Sequence, residues 1–281
     1  MSKSISISDR LGVCSWSLRP QNTADLIEKV SQTGLHAIQL ALDPVRTEPE
    51  DWGDISEAVA ATGMRLISGM IRTIGEDYST LESIRRTGGV VPDETWDQNW
   101  INIQENAKIA KDLQLPLVTF HAGFLPEDKS DPKYPVLLDR LRKIADLFAE
   151  YEIDLGFETG QETAETLEVF LDELDRPNVG VNFDPANMLI NGMGDPIEAL
   201  NLLLPRLKQV HIKDGSRPKE VGSKGKEEVV GTGEVDWKMF LITLRKGGYT
   251  GDLVIEREQG DKRIAEIRQA AALIRQHAEV G

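Results

Sequence analysis

Residues 154–158 read DLGFE, 180–184 GVNFD, 209–213 QVHIK and 252–256 DLVIE. Each is a short apolar run carrying an acid, or in one case an imidazole, at or near its C-terminal end. Apolar residues at consecutive positions, as in DLVIE and in LPLVTF at 115–120, suit strands buried on both faces of a parallel sheet. Working outward, comparable runs occupy Leu11–Trp16, Ala37–Ala41, Arg65–Met70 and Leu117–His121. With Asp154–Glu158, Gly180–Asp184, Gln209–Lys213 and Asp252–Glu256 they make eight strand candidates. They recur at intervals of about 30 residues, with an amphipathic stretch after each. Eight strands each followed by a helix predict an α/β chain folded as one (β/α)8 barrel, a single domain over residues 1–281. A doubly wound open sheet, which has fewer strands, ranks second.

The punctuation agrees. Asn22 or Thr23 can cap a first helix, Asp195-Pro196-Ile197-Glu198 reads as a helix start, and Asp236 can cap a helix beginning at Trp237. Thr33-Gly34, Thr62-Gly63 and Gly247-Gly248 read as stops before strands. After the third strand, residues 71–93 form a long connection with Gly75, Gly88, Gly89 and Pro92. Its length reads either as a lid or binding loop or as an exposed insertion with no role.

A net charge of −15 with no Lys/Arg cluster argues against nucleic acid and against an anionic membrane surface. It is compatible with a neutral substrate and with a bound cation. One cysteine, Cys14, rules out an intrachain disulfide and fits a reducing compartment. The opening MSKSISISDR has no apolar core of a signal peptide, and no run is long enough to span a bilayer, so the expected location is the cytoplasm.

In a barrel of this kind the active site lies where strands end and the following loops begin. The fifth, sixth and eighth candidates end in Glu158, Asp184 and Glu256, and the seventh contains His211. Taken singly, each has an ordinary structural account: a helix cap, a surface charge, a hydrogen-bonded core histidine. Taken together, three carboxylates converging from apolar strands would repel one another, and a cation removes that penalty. Three oxygens and one imidazole nitrogen suit Mn²⁺, Mg²⁺, Co²⁺ or Zn²⁺ without choosing among them. The expectation is one divalent metal held by Glu158, Asp184, His211 and Glu256.

At these residues the chain resembles the xylose-isomerase-like TIM-barrel superfamily, a group described broadly as sugar phosphate isomerases and epimerases. The matching segments are GFETGQET (156–163), VNFDPANM (181–188), VHIKDGSR (210–217), VVGTGEVDW (229–237) and LVIERE (253–258). The resemblance implies that Glu158, Asp184, His211 and Glu256 bind the metal, and that Arg217, six residues after the histidine, contacts substrate. It also implies a small carbohydrate substrate and, since relatives often form dimers or tetramers, a homo-oligomer. Two positions depart from the ketose 3-epimerases of that superfamily. Asn187 stands where they have a histidine, and Ala164 where they have a second glutamate, with Glu162 nearby.

The chemistry expected of such a site is removal of a proton next to a carbonyl, with metal stabilisation of the enediolate. Glu158 and Glu256 are the catalytic candidates, one taking the proton and the other returning it. Return to the other face epimerises, return to the neighbouring carbon isomerises, and loss of a β-hydroxyl dehydrates.

Further substrate-binding candidates are His121, Asn187, Lys213 and Trp16. His121 is either a substrate contact, a ligand of a second metal or a rim hydrogen bond. Lys213, two residues after His211, shares its face of the strand and either stabilises an oxyanion or forms a salt bridge. Trp16 either stacks on a sugar or packs. Asn187 can bond a hydroxyl but not shuttle a proton. Asp214 reads as a loop acid that could orient Lys213 or Arg217. The Gly231–Gly233 pair reads as a tight turn, since Glu234 would repel a phosphate.

The leading expectation is therefore an isomerase or epimerase of a sugar or polyol ketone. The alternative is a lyase or dehydratase of a keto-sugar or keto-inositol on the same metal. A hydrolase of the AP-endonuclease type fits poorly, because only His36, His121, His211 and His277 are present for its many histidine ligands. An inactive binding relative is the fourth reading.

Overall fold

The fold was obtained as a computed structural model that describes residues 7–220 and 223–279. The strands, numbered in chain order, are β1 (Leu11–Cys14), β2 (Ala37–Ala41), β3 (Arg65–Met70), β4 (Leu117–Phe120), β5 (Asp154–Glu158), β6 (Val179–Phe183), β7 (Leu207–Ile212), β8 (Asp214–Ser216), β9 (Lys226–Glu228) and β10 (Leu253–Ile255). Eight of them close a parallel barrel in the order β1-β10-β7-β6-β5-β4-β3-β2. The pairings β1–β10 and β1–β2, with Gly12 opposite both Val254 and Ala37, complete the ring. The expected (β/α)8 barrel is the fold.

A helix on the outer face follows each barrel strand: Thr23–Thr33, Ile55–Thr62, Asp93–Asp112, Lys133–Ala149, Ala164–Leu174, Pro196–Leu203, Trp237–Lys246 and Arg263–Glu279. Their starts follow local chemistry. Asn22, not Thr23, caps the first helix, accepting from Asp25 N at 2.9 Å. Asp195 accepts from the backbone of Ile197 and Glu198, and Asp236 from that of Met239. Gly34 and Gly63 end their helices in the left-handed region.

Alternation along the strands divides the interior in two. Val13, Ile38, Val118, Leu155, Phe157, Val181, Phe183, Val210, Ile212 and Ile255 face the helices and join the main apolar core. Inside the barrel a separate small apolar cluster of Cys14, Ala37, Ile67 and Val254 is overlain by polar side chains. Ser68 donates to Gln209 at 2.6 Å, and Gln39 donates to Thr119 at 2.7 Å. All four are buried.

Several strand ends differ from the sequence expectation. β1 stops at Cys14, and Trp16 lies in a 3₁₀ turn, Ser15–Leu18, rather than at a strand end. His121, Asp184, Lys213 and Glu256 each sit one residue beyond their strands, on the rim. Glycine and proline content makes residues 71–93 look like an unstructured loop, but they include a helix, Leu81–Thr87, started by a reciprocal Thr80–Ser83 capping box. The sequence also gave no warning of the antiparallel β8–β9 hairpin that follows β7. Among the described residues no helix is long and apolar enough to cross a membrane.

Candidate metal centre

Four adjacent strands, β5, β6, β7 and β10, deliver Glu158, Asp184, His211 and Glu256 to one point, all four buried. One ligand atom from each lies within 4.8 Å of every other. His211 Nδ1 is 3.4 Å from Glu158 Oε1, 3.7 Å from Asp184 Oδ2 and 3.6 Å from Glu256 Oε2.

How each side chain is held explains why these atoms face inward. Asn187 Nδ2 donates to Glu158 Oε1 at 2.9 Å. Asp184 caps the helix Pro185–Asn191, and its Oδ1 accepts from Asn187 N at 2.9 Å. Thr159 Oγ1 accepts from Asp184 N at 2.8 Å, fixing the backbone of that ligand. Trp16 Nε1 donates to Glu256 Oε1 at 2.6 Å. His211 Nε2 lies 2.8 Å from Gln39 Oε1, whose own amide donates to Thr119. Gln39 Oε1 and Asn182 Nδ2, at 2.8 and 3.1 Å, engage Nε2, so Nδ1 is the ring nitrogen left to serve as a ligand.

What remains is one buried atom per residue with no hydrogen-bond partner: Glu158 Oε2, Asp184 Oδ2, His211 Nδ1 and Glu256 Oε2. An orphaned buried polar atom costs roughly 1–3 kcal/mol, more if charged. Three carboxylates and an imidazole brought this close fit a cation, and their oxygen-rich set fits a hard to borderline divalent ion. This buried group could bind a metal.

The electrostatics follow from crowding. Burial drives Glu256 upward, and Glu258 and Glu158 add to that drive against the opposing Lys213 ammonium. Burial pushes Glu158 the same way, but His121, His211 and Lys213 outweigh it and hold the carboxyl below its usual range. Burial alone would lower His211, while Cys14, Glu158 and Glu256 raise it. The Cys14 thiol, 3.7 Å from His211 Nε2, is pushed up to about 12 by burial and lies on the side away from the orphaned atoms.

The other sequence candidates separate into two groups. His121 is beside the set, with Nε2 3.6 Å from Glu158 Oε2. Lys213 is buried, with its ammonium 2.8 Å from Glu256 Oε2 outside hydrogen-bond alignment and 2.6 Å from Glu258 Oε2. The salt-bridge reading is met, and the ammonium also stands beside the four-residue set. Asn187 and Trp16 donate to Glu158 and Glu256. Arg217 is placed elsewhere: half-exposed, it pairs with Glu234 at 2.8 Å and Asp195 at 3.6 Å. Exposed His36 immediately precedes β2, at the opposite end of the barrel, and His277 is on the last helix, so the two do not join a histidine-rich metal cluster.

Three features escaped the sequence reading. Asp214 is fully buried and accepts from Gly215, Gly231, Gly233 and Val235 N and from Trp237 Nε1, at 2.8–3.2 Å. It organises the turn 229–237 rather than orienting Lys213 or Arg217. A Cβ on Gly233 would lie 2.1 Å from its Oδ1, which explains the glycine there. Gln39 was legible as a polar residue inside an apolar strand. Tyr78, which packs against His121, carried no signal because a long connection brings it there.

Residues 27–277 match the family described as Xylose isomerase-like TIM barrel. The chain belongs to that family. Over 192 residues it is 29% identical to an inosose dehydratase of Geobacillus thermodenitrificans (strain NG80-2), a stretch covering 62% of this chain and 61% of that protein. The crystal structure of a xylose isomerase domain protein from Planctomyces limnophilus superposes with a TM-score of 0.82 at 30% identity, covering 89% of this chain and 90% of that one. A structure of L-ribulose 3-epimerase superposes with a TM-score of 0.74 at 16% identity over 96% of this chain and 95% of that one, a likeness of fold.

Proposed function

We propose that this chain is a metal-dependent enzyme that removes the proton beside the carbonyl of a sugar or related polyol ketone and returns it, as an isomerase or epimerase. The observation that carries this is the convergence of buried ligand atoms of Glu158, Asp184, His211 and Glu256, within 4.8 Å of one another and each residue keeping one atom without a hydrogen bond. Mn²⁺, Mg²⁺, Co²⁺ and Zn²⁺ all suit that set. The cation supplies Lewis acidity that lowers the energy of the enediolate.

The chain's own groups do the rest. Asn187 and Trp16 each tie down one oxygen of Glu158 and Glu256, so neither carboxylate can swing away. Those two acids are the proton carriers, one taking the proton and the other returning it. The Lys213 ammonium beside Glu256 adds positive charge where an oxyanion develops. His121 would hold a substrate hydroxyl, a role supported by its buried Nδ1, which makes no hydrogen bond.

The matches named inosose dehydratase favour a second reading, loss of water from a keto-inositol through the same enediolate. The amide of Asn187 is engaged with Glu158 and supplies no proton shuttle, which suits elimination equally well. One experiment separates the two. Metal-loaded protein is incubated in D₂O with 2-keto-inositol and with free ketoses, and followed by proton NMR. Deuterium entering the α-position with every hydroxyl retained supports isomerisation or epimerisation. An unsaturated ketone absorbing in the ultraviolet supports dehydration. Absence of both, with or without divalent ions, refutes the proposal.

A further inference from the structure

Tyr78 is 40% exposed, yet its phenol sits among charges. Burial first, then the carboxylates of Glu76 and Glu158, raise its pKa, so it remains a neutral hydroxyl. Its ring lies 5.7 Å from that of His121 at an interplanar angle of 58°. His121 reaches Glu158 with one ring nitrogen and leaves the other buried without a partner. An imidazole nitrogen in that state calls for a hydroxyl.

The segment that carries Tyr78 is pinned on both sides of it. Asp77 N donates to Thr87 Oγ1 and Ser79 N donates to Asp77 Oδ1, each at 2.9 Å. Gly89 N donates to Glu76 Oε1 at 3.1 Å. From the β8–β9 connection, Lys224 Nζ donates to the Tyr78 carbonyl at 2.9 Å and stands 5.8 Å from its ring centre. The ring is therefore held in place while part of its surface stays uncovered. An aromatic ring held open at the edge of an acid-lined mouth suits a polyol ring, whose C–H face is apolar and whose edge carries the hydroxyls. Trp16, bonded to Glu256, is a second aromatic beside the ligand set.

Building on the reading of this mouth as a polyol-ketone site, we propose that Tyr78, with the free nitrogen of His121, forms the outer wall of the substrate pocket and selects ring-closed polyols over open-chain ones. The site then favours a cyclic ketone, a keto-inositol or a pyranose ketone, over a linear ketose.

The test uses two inert probes with equal numbers of hydroxyls, myo-inositol and D-glucitol. Each is titrated calorimetrically into Mn²⁺-loaded wild type, Tyr78→Ala, Tyr78→Phe and Lys224→Ala. Wild type should prefer myo-inositol. Tyr78→Ala should weaken myo-inositol about tenfold, the size of one lost aromatic contact, and D-glucitol less than about threefold. Tyr78→Phe, which keeps the ring, should stay within about threefold of wild type, and Lys224→Ala should fall between. Mn²⁺ affinity should not change. Equal losses for both probes, no loss for either, or a wild type that prefers D-glucitol or binds neither would overturn the proposal. Turnover is not needed for these readings. A wild type that binds myo-inositol through Tyr78 but exchanges no α-proton would refute the proposed reaction and leave the pocket wall standing.

Discussion

Asp214→Ala removes one buried carboxylate and strands the five donors that converge on it. The donors do not all lose equally. Gly231 and Gly233 lie on the more accessible side of the turn, and their amides can turn to water once the anchor is gone. Gly215 N, Val235 N and Trp237 Nε1 are buried and cannot. At roughly 1–3 kcal/mol for each stranded donor, the expected loss is about 3–9 kcal/mol. For a chain of this size 1 kcal/mol moves the melting temperature by roughly 2–4 °C, so a fall of at least about 6 °C follows. Asp214→Asn should lose a similar amount, because its NH₂ group would face donors. Calorimetry gives the melting temperature, and amide hydrogen exchange reads the local event, with protection lost at Gly231, Gly233 and Val235. A drop below about 2 °C with those amides still protected would refute the claim that Asp214 organises this turn.

Adding Mn²⁺ at about 100 times its dissociation constant should stabilise chelator-treated protein by about 2.7 kcal/mol, and Asp184→Asn or His211→Ala should abolish the shift; an undiminished shift in either variant removes that residue from the ligand set. Asn187→Ala and Gln39→Leu should each weaken metal binding by about 10–100-fold while leaving the four ligands in place, and calorimetric affinities equal to wild type would count against the orienting role. Burial lifts Glu162 from 4.5 to about 8, so its carboxyl is neutral in the folded chain where the unfolded chain would ionise it. Its contribution is intact below pH 4.5 and is lost by up to about 1.4 kcal/mol per pH unit as pH rises to 8, beyond which the loss is constant. Glu162→Gln should flatten that part of the stability profile in urea titrations at pH 5, 6.5 and 8, and parallel profiles would show that Glu162 is not the cause.

The barrel was legible because its eight strands are apolar at consecutive positions and spaced by helices with clear caps. The buried cluster was legible because Glu158, Asp184, His211 and Glu256 interrupt or end those strands with charge that burial forbids without a partner. Strand ends were less certain. Asp184 and Glu256 lie just beyond strands whose last bond depends on a neighbour's register, and Trp16 follows a strand that turns early into a 3₁₀ segment. Arg217 illustrates the limit of spacing. Six residues after His211 the chain has already entered the β8–β9 hairpin, and Glu234, brought back by the turn around Asp214, pairs with it. Tyr78 and the cradle around Asp214 arise from contacts between segments far apart in the chain, which no local pattern encodes.

The polar side chains within the cylinder have a mechanical implication. Gln39 belongs to β2, Thr119 to β4 and His211 to β7, so the angle of one imidazole is set by strands spread around the circumference. The orientation of that ring therefore does not depend on any single loop. Melting of the cylinder should then set a bound cation free in the same event, and a colorimetric chelator would serve as a reporter of the integrity of the whole wall.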